Sequence, residues 1–164
     1  MSEKKKDDKS ASKEEPACPP KIEEALKKKG YTIHDKLGYG SFSRVFKAKY
    51  KGKDIACKVI DLDKTSSDYR NKFLPRELYT LKKLHHPNIV CIYDILTFGV
   101  FIYIFMDLAD GGDILEHLKA NGPISEEKAK TWFKQVCDAL RYTHSQGIAH
   151  RDLKEIWLFI FYLF

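Results

Sequence analysis

Paired cysteines, an apolar leader and long hydrophobic runs are all missing from this sequence of 164 residues. The cysteines lie dozens of residues apart, which disfavours a zinc site or a redox motif and predicts free thiols in a reducing compartment. They are Cys18, Cys57, Cys91 and Cys137. The most apolar segment, Ile156–Phe164, has nine residues, fewer than the about 20 that a membrane-spanning helix needs. We therefore expect a cytoplasmic protein that has no membrane partner.

A strong excess of one charge is also missing. Lysine and arginine number 29 against 23 acidic residues, which gives a formal net charge of +6. The excess is spread along the chain and forms no dense basic patch, so it would attract nucleic acid only weakly. Nucleic acid is therefore not an expected partner.

Large apolar side chains are scarce in residues 1–30, where sixteen residues are charged. Such a segment cannot bury enough apolar surface to offset the entropy lost on ordering, so a disordered tail is predicted over residues 1–30. A short helix over Ile22–Lys29 is the alternative, and composition alone favours a solvated charge run there.

From Tyr31 onward the pattern is that of a small α+β lobe over residues 31–106. Runs rich in β-branched and aromatic residues, separated by turn residues, predict a five-stranded antiparallel sheet. The expected strands are Tyr31–Leu37, Arg44–Tyr50, Asp54–Ile60, Ile89–Ile95 and Val100–Met106. Pro75 and leucines at three-residue spacing predict one helix, from Pro75 to about His85.

Two helices are predicted after residue 106. The first is Ile114–Lys119, for which Asp113 and Glu116 could form a capping box. The second begins after Ser125, a suitable N-cap residue. Its apolar stripe is expected to pack in the core and consists of Ala129, Trp132, Phe133, Val136, Cys137 and Leu140.

Three features of the small lobe point to phosphate chemistry, and each also has a structural explanation. The Gly38-Tyr39-Gly40 turn could bring bare backbone amides to a polyphosphate, or its glycines could simply serve a hairpin. Lys58 lies in an apolar strand and needs an anion, unless it only extends to solvent from the strand edge. Glu77 on the following helix could supply that anion, or be an ordinary exposed helical residue.

A fourth feature, His150-Arg151-Asp152-Leu153-Lys154, completes a set that in this order matches the protein-kinase signature. The chain resembles the amino-terminal half of a eukaryotic protein kinase, and the Asp152-Leu153-Lys154 ending resembles the serine/threonine branch. The stretch Asp68–Glu77 and the tripeptide Lys29-Gly30-Tyr31 are similar to the testis-specific serine kinase family. The resemblance covers about residues 28–154.

This resemblance implies a kinase small lobe over residues 31–106, followed by a hinge and the first helices of an incomplete helical lobe over residues 107–154. It implies an enzyme that transfers the γ-phosphate of ATP to a serine or threonine of a protein substrate. Lys58 would hold phosphates and pair with Glu77, while Asp152 would accept the hydroxyl proton and Lys154 would contact the transferred phosphate. The implied nucleotide-binding residues are Leu37, Gly38, Tyr39, Gly40, Ser41, Phe42, Ser43, Val45, Ala56, Lys58, Val90, Met106 as the gatekeeper, Asp107, Ala109 and Asp113.

The match to the family pattern fails after Lys154. Trp157 stands where the pattern has the asparagine that holds a magnesium ion, and no Asp-Phe-Gly follows. Magnesium is expected for the family, but its ligands are missing from this sequence. We therefore expect a truncated chain, with an atypical apolar tail over residues 155–164. The alternatives to an enzyme are a catalytically dead fragment that binds nucleotide or a partner such as a chaperone, and a mispredicted gene product.

Overall fold

The computed structural model describes residues 18–109, 111–112, 114–151 and 153. A helix precedes a five-stranded antiparallel sheet, a second helix lies between its third and fourth strands, and two further helices follow. The elements are α1 Pro20–Lys28, β1 Tyr31–Tyr39, β2 Ser43–Tyr50, β3 Lys53–Asp61, α2 Leu74–Lys83, β4 Ile92–Phe98, β5 Phe101–Met106, α3 Ile114–Asn121 and α4 Glu126–Ser145. The predicted α+β architecture is confirmed.

The strand order across the sheet is β1-β2-β3-β5-β4, so β3 lies at its centre. β4 begins three residues later than predicted and continues to Phe98, which pairs directly with Phe101. The turn between these strands is therefore only Gly99 and Val100 rather than the predicted Leu96–Gly99. Gly99 has a φ of +56°, a left-handed conformation that glycine adopts without steric cost, and this permits the tight turn.

One face of the sheet packs against α1. Side chains alternate along β3, so Ile55, Cys57 and Val59 share this face, and each is at most 2% exposed. Leu26 of α1 is 1% exposed in the same cluster. The predicted disorder over residues 1–30 is therefore wrong for Pro20–Lys28; residues 1–17 lie outside the described residues.

α1 is amphipathic, although its high content of charged residues favoured a disordered tail. Ile22 and Leu26 are one helical turn apart and both pack against the sheet, while Glu23 and Glu24 form ion pairs with Lys27 and Lys28 on the exposed side. Pro20 at the first helical position needs no backbone donor, which favours a helix start there.

The opposite face of the sheet packs against α2 through a second apolar cluster. Its buried members are Ile60, Leu74, Ile102 and Ile104. The helical segment starts before the predicted Pro75, because a π-helical turn over Tyr69–Phe73 leads into α2. Proline has no N–H to donate, so the wider preceding turn occurs where an ordinary helical hydrogen bond cannot form.

The loop after α2 attaches the small lobe to α4. The backbone N–H of His85 donates to the Tyr142 hydroxyl at 3.1 Å, and the His86 ring stacks on Tyr142. The side-chain amide of Asn88 donates to the carbonyl of Gln135 at 3.2 Å. These contacts fix the position of α4 relative to the sheet.

The apolar stripe of α4 is only partly in a core. Trp132 is 3% exposed and packs against Ile114 and Ile124, but Phe133 is 70% exposed and Cys137 is also exposed. The prediction that the whole stripe packs is wrong for these two residues, since neighbouring positions point about 100° apart around a helix. The N-cap is as predicted, because Ser125 Oγ accepts from the N–H of Lys128. Asp113, the predicted cap of α3, lies outside the described residues.

All four cysteines are free thiols. Burial raises the pKa of the Cys18 and Cys57 thiols, so both stay protonated at neutral pH and act as small apolar side chains. Among the described helices, none is long and apolar enough to cross a membrane.

Leu26→Ala tests whether α1 is part of the fold. The loss of this buried side chain should lower the free energy of unfolding by about 2–5 kcal/mol, because it leaves a cavity between α1 and the sheet. Lys21→Ala on the exposed side of α1 should change it little. Denaturant unfolding of both variants measures the difference, and equal stability of the two would show that α1 does not pack.

Candidate active site

A row of directly opposed residues crosses the middle of the sheet on the face that packs against α2. Gly38 is opposite Val45, Val45 is opposite Lys58, and Lys58 is opposite Ile104. Residues opposed in this way in antiparallel strands present their side chains on the same face. The register thus places Lys58 on an apolar surface beside the glycine-rich turn.

The next row toward the hinge contains two further predicted residues. Ala56 is directly opposite Met106 at the end of β5, and Ala56 is 6% exposed. Val90 lies half-buried just before β4. Leu37, which directly precedes Gly38 in β1, is 52% exposed. The alanine leaves the surface shallow between Lys58 and the hinge.

The glycine-rich turn connects β1 to β2, and its two glycines differ. A Cβ on Gly40 would come within 3.2 Å of Ser43 Oγ, whereas a Cβ on Gly38 would meet nothing within 4 Å. Neither glycine has a positive φ. Gly38 lies at an irregularity in the register of β1 and β2, where glycine is common, and its missing side chain leaves the backbone bare on that side.

Lys58 has no electrostatic partner in the part of the chain that the structure describes. It is half-buried, and among the described residues no hydrogen bond or ion pair involves it. A partly desolvated ammonium without a counter-charge is unfavourable. The strand thus presents a cation that an incoming anion would stabilise.

The predicted ion pair between Lys58 and Glu77 is not formed. Glu77 Oε2 instead accepts a hydrogen bond from the Tyr69 hydroxyl at 2.8 Å. The π-helical turn brings Tyr69 onto the same side of the helical segment as Glu77. Burial and this carboxylate both raise the pKa of Tyr69, so its hydroxyl keeps the proton that it donates.

Phe42, which the sequence places at the tip of the glycine-rich turn, packs inward. Its ring centroid lies 5.1 Å from that of Tyr69, and both side chains contact the cluster formed by Ile60 and Leu74. The carbonyl of Phe42 accepts from the N–H of Asp61 at 3.0 Å. The turn is therefore attached to the helical segment that carries Glu77.

The hinge begins at Asp107, directly after β5. Its N–H donates to the carbonyl of Cys91 at 3.0 Å, and its Oδ2 accepts from the N–H of Cys91 at 3.0 Å. The other carboxylate oxygen accepts from the Tyr93 hydroxyl and lies 3.4 Å from Lys53 Nζ. Because its N–H is used internally, the carbonyl of Asp107 is the backbone group left for a ligand.

Lys53 and Tyr93 were not predicted from the sequence. The hydrogen bond from Lys53 to Tyr93 raises the pKa of the lysine, while burial and the bond to Asp107 raise the pKa of Tyr93. Lys53 and Tyr93 are forty residues apart, so no spacing signal links them. The one feature of the sequence that points to this network is Asp107, an acidic residue that directly follows an apolar strand.

Three predicted site residues, Asp113, Asp152 and Lys154, lie outside the described residues. Arg151, which directly precedes Asp152, has a φ of 65°. A non-glycine residue in this left-handed region is uncommon and is typical of functional loops. A shallow pocket is lined by four predicted residues of the glycine-rich turn, Gly40, Ser41, Phe42 and Ser43, together with Arg44, Val59, Asp61 and Lys64. Lys58 does not line it, because Val59 and Asp61 lie on the opposite face of β3.

The sequence matches the protein kinase domain family over residues 31–161, so the chain belongs to the protein kinases. The match continues beyond Lys154, further than the resemblance seen in the motifs. Human testis-specific serine/threonine-protein kinase 4 is 40% identical to this chain over 127 residues, covering 76% of this chain and 39% of that protein.

Mouse testis-specific serine/threonine-protein kinase 3 is 39% identical over 137 residues, covering 81% of this chain and 51% of that protein. CBL-interacting serine/threonine-protein kinase 26 of Arabidopsis thaliana is 34% identical over 137 residues, covering 82% of this chain and 31% of that protein. The chain thus spans about half or less of the length of these curated relatives. Its family is that of the serine/threonine kinases, and testis-specific kinases are among its relatives.

Asp107→Ala tests the hinge network. It removes the acceptor of the Cys91 N–H and of the Tyr93 hydroxyl, so the free energy of unfolding should fall by about 1–3 kcal/mol. Asp54→Ala is the matched control, because Asp54 makes only exposed ion pairs with Lys47 and Lys49 and should contribute little. Chemical unfolding measures both, and an equal effect of the two substitutions would contradict a structural role for Asp107.

Proposed function

We propose that this chain binds ATP on the face of the sheet that carries Lys58. The observation that supports this most directly is the row in which a half-buried lysine, without an ion pair among the described residues, is separated from the bare backbone of Gly38 by Val45 alone. An ammonium and exposed backbone amides are the groups that bind polyphosphates. An apolar surface ending at the hinge then provides room for a purine ring.

In this proposal the phosphates lie between Lys58 and the glycine-rich turn from Gly38 to Ser43. The base packs against the side chains of Leu37, Val45, Ala56, Val90 and Met106. The carbonyl of Asp107 and the N–H of Ala109 contact the edge of the adenine, and Asp113 contacts the ribose. The two hydrogen bonds between Asp107 and Cys91, one donated by each backbone N–H, hold Asp107 in place before the nucleotide arrives.

The family reaction transfers the γ-phosphoryl group of ATP to a serine or threonine hydroxyl of a protein. The bond between the γ-phosphorus and the bridging oxygen breaks, a bond to the hydroxyl oxygen forms, and ADP leaves. We assign acceptance of the hydroxyl proton to Asp152 and stabilisation of the transferred group to Lys154. Both assignments follow from the position of these residues in the family motif.

Magnesium fits the described residues poorly. No three histidine, cysteine, aspartate or glutamate side chains of the described part of the chain are grouped so as to hold a metal ion. Trp157 offers no oxygen ligand where the family pattern has asparagine. We therefore propose that the described residues bind nucleotide with little dependence on magnesium.

Nucleotide titration followed by thermal unfolding tests the binding proposal. ATP should raise the melting temperature of the wild-type chain to a similar extent with and without magnesium, since a bound ligand stabilises the folded state. Lys58→Met should abolish the shift, whereas Lys49→Met, on an exposed position of the same sheet, should preserve it. A shift that requires magnesium, or that survives Lys58→Met, would refute the proposal.

A second candidate is a nucleotide-binding module that catalyses no transfer, and Trp157 is the observation that favours it. Transfer is mainly positioning and charge stabilisation, and general-base help alone contributes only about 10²–10⁴-fold. We expect that γ-phosphate transfer to a basic protein will not exceed that of Lys58→Met. Transfer by the wild-type chain that disappears in Lys58→Met would instead establish the enzyme.

A further inference from the structure

The Glu77 carboxylate is bound by Tyr69 and not by Lys58, the side chain with which the family motif pairs it. Oε2 accepts from the Tyr69 hydroxyl at 2.8 Å, while Lys58 makes no ion pair within the described residues. In a helix, side chains lean toward the N-terminus, so Glu77 naturally points back toward the turn that carries Tyr69. The contact therefore needs no distortion of α2.

Tyr69 is held by three contacts, two of its ring and one of its backbone. It packs on Phe42 with 5.1 Å between ring centroids, it contacts the cluster that contains Leu74, and its backbone N–H donates to Ser66 Oγ at 3.2 Å. With the ring fixed in this way, the hydroxyl remains near Glu77. A partly buried hydroxyl without an acceptor would be unfavourable, so this hydrogen bond opposes any movement of Glu77 toward Lys58.

We propose that Tyr69 is a positioning residue that holds Glu77 outside ion-pair distance of Lys58 until nucleotide binds. The inference rests on the proposed nucleotide site. Phe42 belongs to the turn that would contact the phosphates, so movement of the turn on binding removes one support of the Tyr69 ring. Glu77 is then released to pair with Lys58, and Tyr69 links the glycine-rich turn to that pair.

Tyr69→Phe is the test variant, since it removes the hydroxyl and keeps the ring and its contacts with Phe42. Affinity for ATP should increase about tenfold, because the binding-competent arrangement no longer competes with a charge-assisted hydrogen bond. In a Glu77→Gln background the same substitution should have no such effect. Tyr79→Phe is the matched control: Tyr79 lies on α2 and is 70% exposed, so affinity should be unchanged.

A second readout needs no nucleotide. The rate at which acetic anhydride acylates Lys58 in the folded chain, measured by mass spectrometry of the peptide that contains Lys58 after quenching and digestion, reports whether its amine is paired. Tyr69→Phe should slow this acylation severalfold, since an ion pair raises the pKa of a lysine and shields it. Glu77→Gln should leave the rate as in the wild type, because Lys58 is unpaired in both.

The two readouts separate the possible failures. If the wild type binds ATP but Tyr69→Phe changes neither affinity nor acylation, or weakens binding, the role of Tyr69 is refuted and the nucleotide site stands. If no variant binds ATP but Tyr69→Phe slows acylation, the proposed function fails and the competition for Glu77 is supported. Faster acylation in Glu77→Gln would show that Glu77 already pairs with Lys58, which overturns the inference even if Tyr69→Phe does not fold.

Discussion

The register of β3 with its two neighbours is the constraint on which the rest of the structure depends. Because side chains alternate along a strand, Cys57 and Val59 must point to one face when Lys58 points to the other. A slip of one residue would place the lysine beneath α1 and two apolar side chains in the candidate site. Burial of Cys57 at 0% exposed therefore also determines where Lys58 lies.

The two faces of the sheet differ in what covers them. On the Cys57 face, α1 contributes Leu26 and completes a cluster that includes fully buried Tyr103 and Phe105. On the Lys58 face, α2 covers the apolar residues near Ile60 and leaves the row from Gly38 to Lys58 accessible. The Cys57 face is thus closed by packing. The Lys58 face is packed near Ile60 and is partly open and charged near Lys58.

Most of the sheet could be predicted from the sequence, because alternation and turn residues are local signals. The parts that could not be predicted depend on contacts between distant residues. α1 was predicted as a tail because its few apolar residues stabilise a helix only when they pack against the sheet. Phe133 was predicted to lie in a core from periodicity alone, although no described element covers it. Likewise Lys53, Tyr93 and Asp107 meet only after β4 and β5 pair. The register brings Gly38, Val45 and Lys58 into one row, while their role in binding stays a prediction; the Tyr69 partner of Glu77 was not predicted.

The preference of Glu77 for Tyr69 over Lys58 has a physical explanation in the chemistry of the two donors, both of which are half-buried. Lys58 is half-buried, so water can still solvate its ammonium, and moving it into an ion pair would cost part of that solvation. The Tyr69 ring packs on Phe42 and contacts the cluster that contains Leu74, and a neutral hydroxyl held beside such packing loses its hydrogen bond when the carboxylate leaves. The Glu77 carboxylate therefore binds the Tyr69 hydroxyl, the donor for which the missing interaction would cost more free energy. A polyphosphate that excludes water from Lys58 changes this balance, since a desolvated ammonium gains more from a nearby carboxylate than a solvated one does.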